Sequence, residues 1–303
     1  MTSSHAAVAP GSALAWWLAA RPWSFGISLA PVLAGTALAT LHGNGAQIGL
    51  ATVALLTSIL IHAGTNLQND VGDFRRGADG AGRLGPPRAT TEGWLSAAQV
   101  QTAAGVCFAA AFIPGSYLVL KGGWPIVVIG LASIAAGAAY TAGPRPVAYS
   151  GWGEAFVIVF FGFVAVSGMY FLHAGTVRAA ALIGGAALGA LAAAVLVVNN
   201  LRDIETDRRI GKHTLAVRCG VRFTLAEYSI LLCVPFVLLA ALAAYERRAW
   251  LLAPLVLLPW AVRLALAVRR EPAGAWLNAA LASTAKLGLV FAVLLSLAAA
   301  LAR

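Results

Sequence analysis

The chain has 303 residues, of which 60% are hydrophobic and 11% charged, and carries a formal net charge of +10. Its mean hydropathy is +0.82. Soluble proteins carry about a quarter charged residues, so this composition excludes a soluble globular fold and points to an all-α polytopic membrane protein. The basic residues are scattered through short segments between apolar runs, which excludes a nucleic-acid surface and suits positive loops that set membrane orientation. Three cysteines (Cys107, Cys219 and Cys233) have neither paired nor metal-type spacing, so no disulfide and no zinc site is expected.

Residues 1–12 lack a basic stretch, so no cleaved signal peptide is expected, and they read as a flexible tail. Apolar runs then follow at about 24–42, 47–66, 97–120, 124–142, 153–173, 179–200, 223–244, 249–268 and 275–300, each near the length a helix needs to cross a bilayer. Backbone polar groups in lipid must be satisfied within the segment, so all nine are read as helices. The longest hydrophilic segment, 67–96, is too short for a second fold, and residues 1–303 read as one transmembrane domain. With the N-terminus in the cytoplasm, fifteen of the 21 Lys and Arg residues fall on the cytoplasmic side and five outside, with Lys286 inside the last span.

All five aspartates fall in two segments. The first runs Asn66-Leu-Gln-Asn69-Asp70-Val-Gly-Asp73 and on to Asp79; the second runs Asn199-Asn-Leu-Arg202-Asp203-Ile-Glu205-Thr-Asp207. They end the second and sixth spans, so an even number of crossings puts both on the cytoplasmic face. If the helices continue through the motifs, Asn66, Asp70 and Asp73 share one face, and so do Asn199, Asp203 and Asp207. Each stripe offers an amide and two carboxylates, hard oxygen donors that suit Mg²⁺ bridged to substrate phosphates. Acids at membrane depth point to function; the alternative is a solvated helix end. A cation-coupled transporter is the rival from another class, but it would place its acids near the bilayer midplane on broken helices.

Basic residues interleave with the acids. Arg202 and Lys212 flank the second cluster, and Arg145 sits between two prolines in a short loop on the same side; all three are candidate diphosphate ligands. His62, one turn before Asn66, reads as a packed helix histidine. Glu154 reads as an acid at a helix N-terminus. Lys286 either faces a cavity or reaches to the surface.

At these residues the chain resembles the UbiA superfamily of intramembrane aromatic prenyltransferases. The resemblance rests on both aspartate motifs, on Arg21-Pro-Trp-Ser-Phe through Gly35-Thr, on Gly143-Pro-Arg-Pro-Val-Ala-Tyr149 with Gly151-x-Gly153-Glu154, and on Asn278 and Thr284-Ala-Lys286. Gly77, where hydroxybenzoate-type members carry a third acid, tilts it to the branch that prenylates 1,4-dihydroxy-2-naphthoate in menaquinone biosynthesis.

The resemblance implies a nine-helix bundle with a central cavity; a single polytopic chain with no transit peptide suggests the plasma membrane of a prokaryote. The resemblance also implies Mg²⁺ as cofactor, a polyprenyl diphosphate donor, an aromatic acceptor and loss of carbon dioxide, with a phenol such as 4-hydroxybenzoate as the alternative acceptor. Asp70, Asp73, Asp203 and Asp207 are then the catalytic metal ligands, supported by Asn66 and Asn199. Arg145, Arg202 and Lys212 hold diphosphate, and Tyr149 and Lys286 are acceptor-side residues. Phe160, Phe161, Phe163, Tyr170 and Phe171 are available to face a prenyl cation.

Overall fold

The computed structural model describes residues 8–78, 83–144 and 146–302; Asp79 and Arg145 lie outside the described residues. Among those described, every regular element is helical. Eight helices are long and apolar enough to span a membrane, or nine if one bent pair counts as a span, in line with the nine apolar runs.

The bent pair opens the chain. Ser12 caps α1 (Ala13–Ala20) by accepting from the Ala15 N–H at 3.2 Å. Arg21 follows in the left-handed region (φ 55°), and the chain turns through 42° into α2 (Gly26–Leu41). No helix was expected over Ala13–Ala20. Its small residues Ala15 and Ala19 bury against Leu67 and Val71 of α3 (Ile48–Arg75) and against Ala89, Leu95, Val100 and Ala104. The same contacts explain why α3 runs nine residues beyond its expected end at 66: Leu67 and Val71 have a packing partner. The first aspartate motif is thereby helical, as its spacing requires.

A loop leads to α4 (Ala97–Gly122), which begins with a capping box between Ser96 and Gln99. Gly123 (φ 68°) reverses the chain into α5 (Trp124–Thr141). After a short 3₁₀ turn at Val147–Tyr149, the next span, Gly153–Ala174, is composite. It comprises α6 (Gly153–Val157), a π-helical stretch (Ile158–Val164) and α7 (Ala165–Ala174). α8 (Ala179–Arg202) runs through the middle and packs against α2, the composite span, α10 (Leu215–Glu246) and α12 (Leu277–Leu301). Between α8 and α10 lies the short α9 (Ile204–Arg209). A 3₁₀ stretch and α11 (Leu258–Arg270) form the span Ala249–Arg270.

Backbones approach closely where glycines meet. A Cβ on Gly162 would lie 2.5 Å from the Gly185 carbonyl oxygen, and one on Gly189 would lie 2.8 Å from that of Ile158. Small residues give membrane helices this proximity, which replaces a hydrophobic driving force that lipid cannot supply. The main apolar core joins α2, α8, α10 and α12 through Leu38, Leu191, Tyr228, Leu232 and Phe291.

Two further boundaries differ from expectation. α10 starts at Leu215 rather than near 223 and kinks at Gly220 (φ 79°). The second aspartate motif is not one straight helix: α8 ends at Arg202, and Asp203 (φ −97°, ψ 8°) joins it to α9. The hydrogen bonds Asp203 N–H to Asn199 O (3.1 Å) and Asp207 N–H to Asp203 O (2.8 Å) keep the four-residue spacing across the joint.

Candidate active site

Between α2, α3, α4, α5, the composite span, α8 and α12 lies a cavity of about 1040 Å³. Its walls are largely aliphatic and aromatic, with Ile61, Ile134, Phe156, Phe160, Phe161 and Leu196 among them. At one end both aspartate motifs enter the lining. Asn66, Asn69 and Asp73 come from α3; Asn199, Asp203 and Asp207 come from the α8–α9 joint. The 133-residue separation between Asp70 and Asp203 in sequence is thus closed in space for most of the two motifs.

Asp73 is buried, with its carboxylate held from two directions. Oδ1 accepts the Tyr149 hydroxyl at 3.0 Å, and Oδ2 accepts Arg88 at 3.1 Å. The Tyr149 ring also carries two cations, Arg76 at 5.0 Å and Lys212 at 5.2 Å from its centroid. Burial raises the Tyr149 phenol far above its usual range, and Asp73 adds to the rise, so the group stays a donor. Tyr149 itself is not in the cavity lining, where its neighbours Ala148 and Ser150 are. This corrects its expected acceptor-side place: its hydroxyl is committed to Asp73.

The second motif is organised by Arg202. Its guanidinium spans both Asp203 oxygens at 2.8 and 2.5 Å and reaches Asn199 Oδ1 at 2.8 Å and Asn278 Oδ1 at 2.7 Å. Asn278 in turn donates to the Leu84 carbonyl at 2.7 Å, fastening the α3–α4 loop over this end of the cavity. Arg202 therefore positions the motif and lines the cavity at once.

Asp207 is buried with its carboxyl pushed up to about 6: burial raises it more than Lys212 lowers it, and Asp203 and Asp73 add to the rise. Lys212 lies 3.5 Å from Asp207 Oδ1, and Asp207 Oδ2 is buried without a hydrogen-bond partner. Burial would lower Lys212, but Asp73, Asp207 and Asp203 outweigh it and raise its pKa, so it stays charged.

Asp70 lies elsewhere. It is 1% exposed and absent from the cavity lining. Its oxygens accept the Ala89 N–H at 3.1 Å, the Thr90 N–H at 3.3 Å and the Thr90 hydroxyl. Helical spacing put Asp70 and Asp73 on one face, yet the stripe that enters the cavity is Asn66, Asn69 and Asp73. The reason is tertiary: the loop after Arg88 folds back along α3 and its N–H groups take the Asp70 carboxylate.

Other residues show how local geometry selects an atom. Asn66 donates to the Ala20 carbonyl at 2.9 Å and to Ser24 Oγ at 3.1 Å, which leaves Oδ1 as its unspent acceptor. Asn69 Oδ1 accepts the Thr141 hydroxyl at 2.8 Å. His62 lines the cavity, with Ser24 at 3.2 Å from Nε2 and Ser28 at 2.8 Å from Nδ1. Lys286 sits ten residues along α12, about 13 Å from its start at 1.5 Å per residue, and is exposed to the cavity it lines. Of the five aromatic residues expected near a prenyl cation, Phe160 and Phe161 line the cavity, and Phe163, Tyr170 and Phe171 do not. Tyr170 bonds His42 at 2.8 Å instead. Sequence reasoning named Asn69 and Asn278 among the residues that carry the resemblance but gave them no role in the site, and it did not single out Arg88. Asn69 was legible as the residue four before Asp73; nothing local marks Arg88.

Among the described residues no group of three or more acidic, His or Cys side chains converges as a ready cage for a metal. The donor chemistry nevertheless fits a hard divalent cation. Asp73, Asp203 and Asp207 offer carboxylates, Asn66 an amide oxygen, and Asp207 Oδ2 an unused buried acceptor. Arg88, Arg202 and Lys212 supply the balancing charge in this structure.

An apolar cavity within a membrane bundle, ended by acids, amides and cations, defines an intramembrane enzyme for a substrate with an oily body and an anionic head. The UbiA prenyltransferase family profile matches residues 28–289, and the chain belongs to that family: it is a multi-pass membrane prenyltransferase. It is 39% identical over 288 residues to a 1,4-dihydroxy-2-naphthoate octaprenyltransferase of Mycobacterium tuberculosis, covering 95% of this chain and 96% of the relative. A protein of the same name from Haemophilus influenzae is 36% identical over 242 residues, 78% of this chain and 79% of the relative. In fold it is similar to a UbiA homolog from Archaeoglobus fulgidus solved with DMAPP and Mg²⁺, at a TM-score of 0.67 and 16% identity, covering 93% of this chain and 99% of that one. Family membership replaces the transporter reading.

Proposed function

We propose that this enzyme transfers a polyprenyl group from an allylic polyprenyl diphosphate to 1,4-dihydroxy-2-naphthoate, with loss of carbon dioxide, giving a demethylmenaquinone-type product in its hydroquinone form and diphosphate. The observation that carries the proposal is the joining of Asp73, Asp203 and Asp207 at one end of a long apolar cavity. The names of the relatives, at 36–39% identity, support the acceptor.

The protein is read as a single membrane domain of a prokaryotic plasma membrane, with its N-terminus and the polar end of the cavity facing the cytoplasm. Bound Mg²⁺, held by Asp73, Asp203 and Asp207 with Asn66 in support, would supply charge to offset that developing on the diphosphate. Arg88 and Lys212 hold the diphosphate from the protein side, and Arg145 is assigned to the same task from its loop. Arg202 fixes the Asp203 and Asn199 oxygens. Tyr149 orients Asp73. The aliphatic walls take the prenyl chain and exclude water that would quench an allylic cation, and the faces of Phe160 and Phe161 attract that charge. Lys286, the cation deep on α12, is assigned to the acceptor carboxylate.

The test is transfer of labelled geranylgeranyl diphosphate in membranes containing this chain. Transfer to 1,4-dihydroxy-2-naphthoate that stops on chelation of divalent metal is expected. Turnover of 4-hydroxybenzoate alone would reject the acceptor and keep the prenyl transfer; transfer unaffected by chelation would reject the metal.

A further inference from the structure

Glu154 is a buried acid in the cavity wall that none of the roles above employs. It is 5% exposed and lines the cavity from the first turn of α6. Its Oε1 accepts the Asn200 amide at 2.7 Å, and its Oε2 is buried with no hydrogen-bond partner. Asn200 is itself 4% exposed and lies in the cavity lining. A carboxyl at membrane depth with one oxygen clamped and the other unused is costly unless a ligand completes it. It differs in its surroundings from Asp73, Asp203 and Asp207, each of which has an arginine or lysine beside it; among the described residues none is bonded to Glu154.

The neighbouring groups are those an aromatic acceptor would meet. The Phe156 ring lies 5.6 Å from that of Tyr140 and 4.6 Å from that of Phe160, and all three residues line the cavity. The Tyr140 hydroxyl comes within 3.6 Å of where a side chain on Gly153 would begin. Asn200 follows Asn199 directly in the chain, so one end of α8 serves the second aspartate motif and Glu154 together. The π-helical stretch begins four residues after Glu154, and such stretches recur at functional sites.

We propose that Glu154 is the catalytic proton acceptor for the aromatic substrate, its Oε2 taking the proton of a ring hydroxyl as the ring attacks. The inference rests on the aromatic-acceptor reading. As the ring carbon bonds to the prenyl carbon, the bond from that carbon to the diphosphate oxygen breaks and its electron pair leaves with diphosphate. The ring hydroxyl O–H breaks, its pair forms a ring carbonyl, and the proton goes to Glu154. When carbon dioxide departs, the bonding pair it leaves behind restores the aromatic ring and the proton returns to the oxygen. No oxidant or reductant is needed. Asn200 is a positioning residue that holds Oε1.

The test compares the full-length enzyme with Glu154→Gln and Glu154→Asp, in membranes with Mg²⁺ and geranylgeranyl diphosphate. Gln keeps the size and the bond to Asn200 but takes no proton. We expect kcat to fall about 100-fold or more in Glu154→Gln, with the KM for the prenyl diphosphate within about threefold of the parent and partial recovery in Glu154→Asp. A Glu154→Gln enzyme that keeps kcat within about threefold overturns the proposal. If that variant does not accumulate, single turnover of the parent in D₂O decides: a slowing of about twofold or more is expected for a transferred hydroxyl proton, and equal rates overturn it. Should the parent use a different phenol, the same comparison on that phenol tests Glu154 while the naphthoate assignment alone fails.

Discussion

Asp70 and Asp73 lie three residues apart on one helix, and their neighbours give them different work. Asp73 faces the cavity with Tyr149 and Arg88 on its oxygens; Asp70 is spent on the Ala89 and Thr90 N–H groups. Asp73→Asn should lower kcat about 100-fold or more, since a carboxylate facing developing charge is removed. Asp70→Ala should instead destabilise the α3–α4 loop by roughly 1–3 kcal/mol by orphaning buried donors. Limited proteolysis within residues 83–95 together with Mg²⁺ titration separates the two. Faster cleavage with Mg²⁺ affinity retained is expected for Asp70→Ala, and loss of Mg²⁺ binding equal to that of Asp73→Asn would put Asp70 back among the ligands.

At the scale of elements, the composite span is defined by its contact with α8. Gly162 and Gly185 meet so closely that a Cβ on Gly162 would lie 2.5 Å from a backbone oxygen, which no side-chain rotation relieves. Gly162→Ala should cost roughly 1–3 kcal/mol by overpacking, read as a lower Tm of the purified protein. Gly130→Ala, with nothing within 4 Å of its Cβ, is the control and should leave Tm unchanged or slightly higher. Equal Tm values for the two would mean that the helices separate without cost. The π-helical stretch sits at this crossing and carries Phe160 and Phe161 to the cavity.

At the scale of the whole molecule, the cavity belongs to no helix alone: seven spans wall it, and the loop fastened by Asn278 and Asp70 covers its polar end. A ligand joining both motifs should therefore stabilise the entire bundle. With Mg²⁺ present, a prenyl diphosphate at about 100 times its Kd should add about 2.7 kcal/mol, seen as a rise in Tm. The rise should vanish in Asp73→Asn/Asp203→Asn and on chelation of the metal. An undiminished rise in the double variant would show that the chain binds through its prenyl tail alone.

The sequence by itself determined the spans, their helical nature and the meeting of the two acidic segments at one face. Hydropathy, the backbone's need for partners in lipid and the parity of crossings are all properties of chain order. It also made Asp73, Asp203 and Asp207 legible, because four-residue spacing survives even the break at Asp203. Tertiary structure alone decided which carboxylates enter the cavity. Asp70 is withdrawn by a loop some 20 residues further on, Tyr149 is turned to Asp73 across 76 residues, and Glu154 gains Asn200 across 46. These assignments depend on where distant donors come to rest, and no local pattern of residues carries that.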